Sequence, residues 1–217
     1  MRETTISPSI ATGCLFVLAA PSGTGKTSLV NALLAREPGI RLSVSYTTRS
    51  PRPGEQEGVH YHFIDDARFQ ALLEAGEFLE DAHVYGHRYA TSAVWLKKQI
   101  DAGQDILLEI DWQGAKQVRT LFPDSVQIFV LPPSLVTLRE RLEKRGQDAS
   151  EVITRRLVSV QEEFRHYVDF DYVIINQTFD NAVDDLDAIV RAARLRAPRQ
   201  RFRQARLLRE LMTTTDF

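Results

Sequence analysis

Apolar residues occur along this chain in two patterns, continuous runs and repeats at helical spacing. The runs 14–19, 105–110, 126–131 and 172–175 are typical of strands buried on both faces of a parallel sheet. Between them, apolar residues three or four positions apart predict helices over about 28–34, 92–102 and 135–145, and 153–164 shows the same spacing. A further helix is predicted after Asn176, with Val183, Leu186, Val190 and Ala193 facing inward. The pattern predicts an α/β fold with a parallel sheet flanked by helices.

One region interrupts this rhythm. The segment 42–46 has strand character, and a proline-broken loop, 47–54, follows it. The segment 59–64 alternates apolar or aromatic residues with histidines, which is typical of a half-buried antiparallel strand, and 69–73 shows one helical turn. Because 78–89 resembles another strand and turn, we predict a small sheet-rich unit inserted over 45–92.

The stretch Ala20-Pro21-Ser22-Gly23-Thr24-Gly25-Lys26-Thr27, followed by Ser28, stands between the first strand and the first helix. Glycines allow backbone N–H groups to surround a phosphate, and the new helix adds its positive N-terminal end. Lys26 can then reach the outer phosphates, and the Thr27 hydroxyl can hold Mg²⁺. The alternative is an ordinary glycine-rich turn. We favour a phosphate loop, although Ala20 replaces the glycine of the strict pattern.

Composition and charge narrow the class of protein. The 217 residues are enough for one substantial domain with insertions, and the net charge of −2 indicates no general attraction to nucleic acid or membranes. A single cysteine cannot form an internal disulfide, which favours the cytoplasm. No apolar run is long enough to span a bilayer, and residues 1–13 are expected to form a flexible tail.

A phosphate loop indicates a nucleotide but not a reaction. Phosphoryl transfer between two nucleotides needs positive groups around three or four phosphates and the exclusion of water. The chain offers Lys26 at one place, Arg49 and Arg52 at a second, and an arginine-rich third region over 139–156. The three groups suggest a donor site, an acceptor site and a lid.

The motifs 20–27, 45–55 and 109–114, together with Glu80, Tyr89 and Thr91, resemble guanylate kinase in order and spacing, from about Leu15 to Ala197. This resemblance implies transfer of the ATP γ-phosphate to GMP, in purine metabolism. It also implies the following boundaries: a core with the phosphate loop over 14–44, 93–134 and 165–197, a GMP-binding region over 45–92, and a lid over 135–164. Beyond these, the closely spaced arginines predict a basic C-terminal helix or tail over 198–217.

The resemblance also implies site residues, matched position by position. GMP would be bound through its phosphate by Arg49, Arg52, Tyr61 and Tyr89, and through guanine by Ser45, Glu80 and Thr91. The carboxylate of Glu80 can accept from two adjacent guanine donors, which adenine lacks at that edge. ATP would be bound by 20–28 and by Asn176 beside adenine. The catalytic set would be Lys26, Arg49, Arg141, Arg145 and Arg156. Mg²⁺ would be bound by Thr27, with Asp111 serving either the ion through water or guanine.

Other interpretations stay open at this point. The tyrosines could simply be residues of amphipathic strands, and Arg139 is better explained as a solvated helix residue. The chain could be a guanylate-kinase-like binding module for phosphorylated partners, although its intact phosphate loop argues against this. It could also be a related kinase with another acceptor. We expect GMP, dGMP and ATP as small-molecule substrates, and no nucleic acid or membrane partner; the sequence does not distinguish a monomer from a homo-oligomer.

Overall fold

The computed structural model describes residues 13–84, 86–144, 157 and 160–213. Its strands are β1 Leu15–Ala19, β2 Ile40–Leu42, β3 Tyr46–Thr47, β4 His62–Phe63, β5 Phe78–Val84, β6 His87–Ser92, β7 Asp105–Ile110, β8 Val126–Leu131 and β9 Tyr172–Ile175. The helices are α1 Lys26–Arg36, α2 Asp66–Glu74, α3 Ala93–Asp101, α4 Trp112–Leu121, α5 Leu135–Lys144, α6 Phe179–Arg194, α7 Ala197–Arg203 and α8 Ala205–Thr213. A 3-10 helix spans Arg165–Asp169.

The main sheet has five parallel strands in the order β2-β7-β1-β8-β9. Strand β1 is central and all five of its residues are buried, which explains its uninterrupted apolar run. Its end therefore lies in the middle of the carboxyl edge, where open α/β sheets bind ligands. The predicted parallel sheet flanked by helices is confirmed.

Successive side chains of β1 enter two separate hydrophobic layers. Phe16 and Leu18 join the layer that contains α1 and α6, while Val17 joins the layer that contains α3 and α4. This division follows from the two-residue period of a strand. The residues of α6 predicted to face inward, Val183, Leu186, Val190 and Ala193, are all buried.

The inserted region contains a second sheet with the order β4-β3-β6-β5. The strand and turn predicted over 78–89 correspond to two antiparallel strands, β5 and β6. Two expectations in this region are wrong. The strand predicted over 59–64 is limited to His62–Phe63 and pairs with β3 in parallel, not antiparallel. The strand predicted over 42–46 is divided between β2 and β3, because the chain leaves the main sheet at Ser43 and enters the second sheet at Tyr46.

Helix α5 packs on a small apolar cluster of its own, in which Leu138, Leu142 and Val160 are buried and Leu157 and Phe164 pack against them. These contacts agree with the helical spacing noted around 153–164. The rest of the predicted lid, at 145–156 and 158–159, lies outside the described residues, as do most of the predicted N-terminal tail and residues 214–217.

The chain ends in two short helices, α7 and α8. Arg203 of α7 lies 3.0 Å from the buried carboxylate of Asp105, and Arg199 donates to the Gly13 carbonyl at 2.8 Å, so these two arginines attach α7 to the start of the core. Over the part of the chain that the structure describes, no helix is long and apolar enough to cross a membrane.

Candidate active site

The phosphate loop connects β1 to α1 with two glycines in the left-handed region. Gly23 has φ +88° and Gly25 has φ +98°, which only glycine adopts without strain. A Cβ on Gly23 would meet the side chains of Leu138 and Leu142 at 2.9 Å, so the loop also passes very close to α5. Because Gly25 is the N-cap of α1 and has no side chain, the first amides of the helix are left for an anion.

The two residues after Gly25 connect the loop to the end of β7. The Lys26 ammonium donates to the Ile110 carbonyl at 2.8 Å. The Thr27 hydroxyl donates to Glu109 Oε1 at 2.6 Å. This pairing was not predicted, because Asp111 was the acid expected near the metal. The threonine and the glutamate together offer hard oxygen ligands beside the phosphate loop.

Two residues predicted for the ATP side of the site form hydrogen bonds with the phosphate loop. The Asn176 amide donates to the Thr24 carbonyl at 2.7 Å, and a Cβ on Gly25 would lie 2.6 Å from that amide nitrogen. Arg141 of α5 donates to the carbonyls of Thr24 at 3.3 Å and Asn176 at 2.9 Å. The loop, α5 and the end of β9 are therefore joined through one cluster of hydrogen bonds.

The predicted acceptor arginines lie in the loop between β3 and β4. Arg49 is buried and forms a two-pronged pair with Glu55, with distances of 2.9 and 2.8 Å. Glu55 also accepts from the backbone N–H of Arg52 at 2.7 Å. Burial opposes ionisation of Glu55, but its hydrogen bonds with Arg49 and Arg52 outweigh burial and lower its pKa. Glu55 thus fixes the Arg49 side chain and the Arg52 backbone. This role was not predicted from the sequence.

The two predicted tyrosines lie together beside Arg49. The rings of Tyr61 and Tyr89 are 5.9 Å apart, and the Arg49 guanidinium lies 5.4 Å from the Tyr61 ring centre. Burial, with a smaller effect from the charge of Glu109, raises the pKa of Tyr61 to about 12. Its hydroxyl therefore stays protonated at neutral pH and can donate to a phosphate.

Glu80 is the most unusual titratable group of this region. It lies on β5, paired in register with Thr91 of β6, and only 4% of its surface is exposed. Burial is the main cause that raises its pKa from 4.5 to about 7, and the charge of Asp111 adds to the rise. A buried carboxylate at the wall of a cavity suits a ligand edge that presents two N–H groups.

Asp111 performs a structural task at the start of α4. Its carboxylate accepts from the Gly114 backbone N–H at 2.9 Å, as an N-cap does, and from the Gln113 amide at 2.9 Å. Its negative charge also acts on Glu80. Asp111 therefore belongs electrostatically to the Glu80 end of the site.

One cavity of about 490 Å³ joins these groups. It is lined by predicted loop residues, Ala20, Pro21, Ser22, Gly23, Gly25, Lys26, Thr27 and Ser28, and by the predicted residues Ser45, Arg52, Tyr61, Glu80, Tyr89, Asp111 and Arg141. Glu109 and Glu163 also line it and were not predicted. Among the described residues, four that were predicted do not line the cavity: Thr24, Arg49, Thr91 and Asn176. Each of them contacts, or is paired across the sheet with, a residue that does line it.

Some predicted residues lie outside the described part of the chain, and some residues of the site were not predicted. The lid arginines Arg145 and Arg156 lie outside the described residues. Glu109 has a signal in the sequence, as an acid at the end of a buried strand, but Asp111 carries the same signal two residues later and is the residue predicted. Glu55 gave only the weak signal of an acid close to two arginines.

A phosphate loop at the carboxyl edge of a parallel sheet, opening into a cavity with a second set of cationic and hydrogen-bonding groups, defines a P-loop kinase for small phosphorylated acceptors. Comparison with known proteins identifies the family. The sequence model described as guanylate kinase matches residues 13–193.

Individual relatives agree with this match. A guanylate kinase of Aromatoleum aromaticum is 60% identical over 188 residues, covering 87% of this chain and 92% of the relative. One of Methylobacillus flagellatus is 53% identical over 200 residues, covering 92% and 99%. The crystal structure of guanylate kinase from Anaplasma phagocytophilum superimposes with a TM-score of 0.75 at 34% identity, covering 90% of this chain and 95% of that one. The chain belongs to the guanylate kinase family.

Proposed function

We infer that this chain uses the cavity described above to carry out the reaction of its family: it is an ATP:GMP phosphotransferase that transfers the γ-phosphate of ATP to GMP, giving ADP and GDP. The observation that carries the assignment of the site is the single cavity, because Lys26 of the phosphate loop and the buried Glu80 line the same space. Donor and acceptor can therefore meet without release of an intermediate.

On the donor side, the loop residues 20–28 would surround the ATP phosphates with backbone N–H groups. Lys26 would exchange its bond with the Ile110 carbonyl for one with an outer phosphate. The close contact of Thr27 and Glu109 supports these two residues as the protein's oxygen ligands for Mg²⁺. When bound, Mg²⁺ neutralises negative charge on the transferred phosphate. The charge of Asp111 acts on Glu80, and this proximity supports the guanine role that was left open for Asp111.

On the acceptor side, Arg49, Arg52, Tyr61 and Tyr89 would bind the phosphate of GMP. Ser45, Glu80 and Thr91 would contact guanine. Glu80 can accept from the ring N–H and the exocyclic amine at the same time. AMP would leave this carboxylate unpaired in a buried site, which supports discrimination against adenine. Because these contacts concern base and phosphate, we expect dGMP to be accepted as well.

The reaction needs no strong base, since the attacking group is an anionic phosphate oxygen. The protein's task is to orient the two nucleotides, to neutralise charge and to exclude water. Arg141 is already bonded to the loop and could turn towards ATP. We propose the same role for Arg145 and Arg156, and Asn176 stays our candidate beside adenine. The single, buried Cys14 is consistent with work in the cytoplasm, in guanine nucleotide metabolism.

A screen of phosphate acceptors tests the proposal. ADP formation from ATP and Mg²⁺ is followed with GMP, dGMP, IMP, AMP and UMP at equal concentrations. We expect GMP and dGMP to support turnover and AMP and UMP to support very little. A preference for another acceptor, or phosphopeptide binding without any ADP formation, would instead favour a related kinase or a binding module.

A further inference from the structure

Gly114 of α4 occupies a position where glycine needs an explanation. It is the third residue of a ten-residue helix, and its backbone does not adopt the positive φ that favours glycine. Alanine is more favourable than glycine in a helix of ordinary geometry. The reason for glycine at this position must therefore be space.

The space is taken by Glu80. A Cβ built on Gly114 would lie 2.5 Å from Glu80 Oε2 and 3.1 Å from Glu80 Cδ, well inside van der Waals contact. It would also lie 3.3 Å from Ile110 Cδ1. The buried carboxylate thus lies directly against the first turn of α4, where a side chain would displace it.

Of the two partners, only the Glu80 carboxylate has space to move, because it lines the cavity. Glu80 is 4% exposed and lies between the buried residues Leu79 and Ala82 on β5. The spacing of β5 and α4 is fixed beside the contact by Gln117, whose amide donates to the Asp81 carbonyl at 2.7 Å and accepts from the Asp81 N–H at 3.2 Å. A methyl group at position 114 would therefore move the carboxylate and not the backbone.

We propose that Gly114 is a specificity-determining positioning residue: its missing side chain sets the place of the Glu80 carboxylate, and thereby the preference for a nucleotide base with two adjacent N–H donors. This inference rests on the proposed function of the same cavity. It adds a residue that does not contact the nucleotide itself.

The variant Gly114→Ala tests the idea with one methyl group. The backbone N–H that Asp111 caps is retained, so the helix start is unchanged. We compare kcat/KM for GMP and for IMP, which lacks the exocyclic amine. We expect KM for GMP to rise by roughly 10- to 100-fold and the GMP/IMP preference to fall, because a displacement near 1 Å can cost this much. KM for ATP should stay within about twofold.

Two further variants complete the design. Gly39→Ala is the matched control, since its Cβ would lie 3.6 Å from Arg194 Nη2, an ordinary van der Waals contact, and we expect wild-type kinetics. In Gly114→Ala combined with Glu80→Asp, the shorter carboxylate avoids the methyl group, and part of the GMP/IMP preference lost in the single variant should return.

An unchanged GMP/IMP preference in a folded Gly114→Ala protein would overturn the proposal, as would equal losses for GMP, IMP and ATP. If the single variant is too unstable to assay, recovery of folding in the double variant supports the contact and failure to recover overturns it. Failure of the proposed function is a separate result, because it would appear as wild-type protein that does not phosphorylate GMP.

Discussion

From the burial of the Glu80 carboxylate we predict a link between the stability of the protein and its choice of substrate. Burial raises its pKa from 4.5 to about 7. In the pH range between these values the folded protein holds a proton at Glu80 that the unfolded chain releases. Stability therefore falls as pH rises through this range, and the contribution of the protonated group is lost above about pH 7.

The size of the effect follows from the shift. A change of about 2.5 units at about 1.4 kcal/mol per unit corresponds to roughly 3 kcal/mol between acidic and alkaline pH. Because the side chain is 4% exposed, solvent screens little of this cost. In Glu80→Gln the position is uncharged at every pH. The free energy of unfolding of the variant should therefore gain about 2 to 3 kcal/mol relative to wild type between pH 5 and pH 8.

Urea unfolding at pH 5, 6, 7 and 8 measures this difference. Titrating groups that do not interact with Glu80 affect wild type and variant equally, so the comparison reports on position 80 and the acids coupled to it, Asp111 and Asp81. Glu74→Gln, which removes an exposed carboxylate on α2, is measured beside it as a control for the loss of a carboxylate. A Glu80→Gln difference that stays constant within about 0.5 kcal/mol from pH 5 to 8 would refute the reasoning.

The same substitution has a kinetic consequence. Guanine offers two donors and needs an acceptor, so KM for GMP in wild type should rise as pH falls below about 7 and Glu80 takes up a proton. Glu80→Gln should lose this pH dependence and discriminate poorly between GMP and AMP. Unchanged discrimination would count against Glu80 as the guanine-reading residue.

Three further substitutions test other parts of the site. Lys26→Ala should lower turnover by orders of magnitude while the circular dichroism spectrum stays unchanged, because the bond that Lys26 makes to Ile110 goes to a backbone carbonyl; near-normal turnover would exclude Lys26 from the reaction. Glu55→Gln should raise KM for GMP about tenfold and leave KM for ATP unchanged, since it weakens the pair that orients Arg49, and equal changes in both constants would contradict this. Glu109→Gln should raise the Mg²⁺ concentration needed for half-maximal rate several-fold; an unchanged Mg²⁺ dependence would remove Glu109 from the metal site.

Much of the fold could be read from local pattern. Strands β7, β8 and β9 have the predicted bounds, because runs buried on both faces carry an unbroken apolar signal. Strand β4 was mispredicted for the opposite reason. Alternation over 59–64 describes one half-buried face but contains nothing about its partner, and the pairing with β3 is parallel.

The site divides in the same way. The spacing of the glycines, Lys26 and Thr27 predicts a phosphate loop, because residues at this spacing are the ones that bind the phosphates. Glu109 lies 82 positions from Thr27, and only the parallel register of β1 and β7 brings the two side chains together. Glu55 became identifiable through its paired bonds to Arg49.

The sequence by itself thus determined the class of fold, the phosphate loop and the family resemblance, because these depend on residue type and spacing. Only the tertiary structure decided which acid meets Thr27, which acid holds Arg49, and why a helix carries glycine at position 114. Each of these depends on a distance between segments far apart in the chain. Such distances come from the packing of β5 against α4 and of β7 beside β1, which local pattern does not encode.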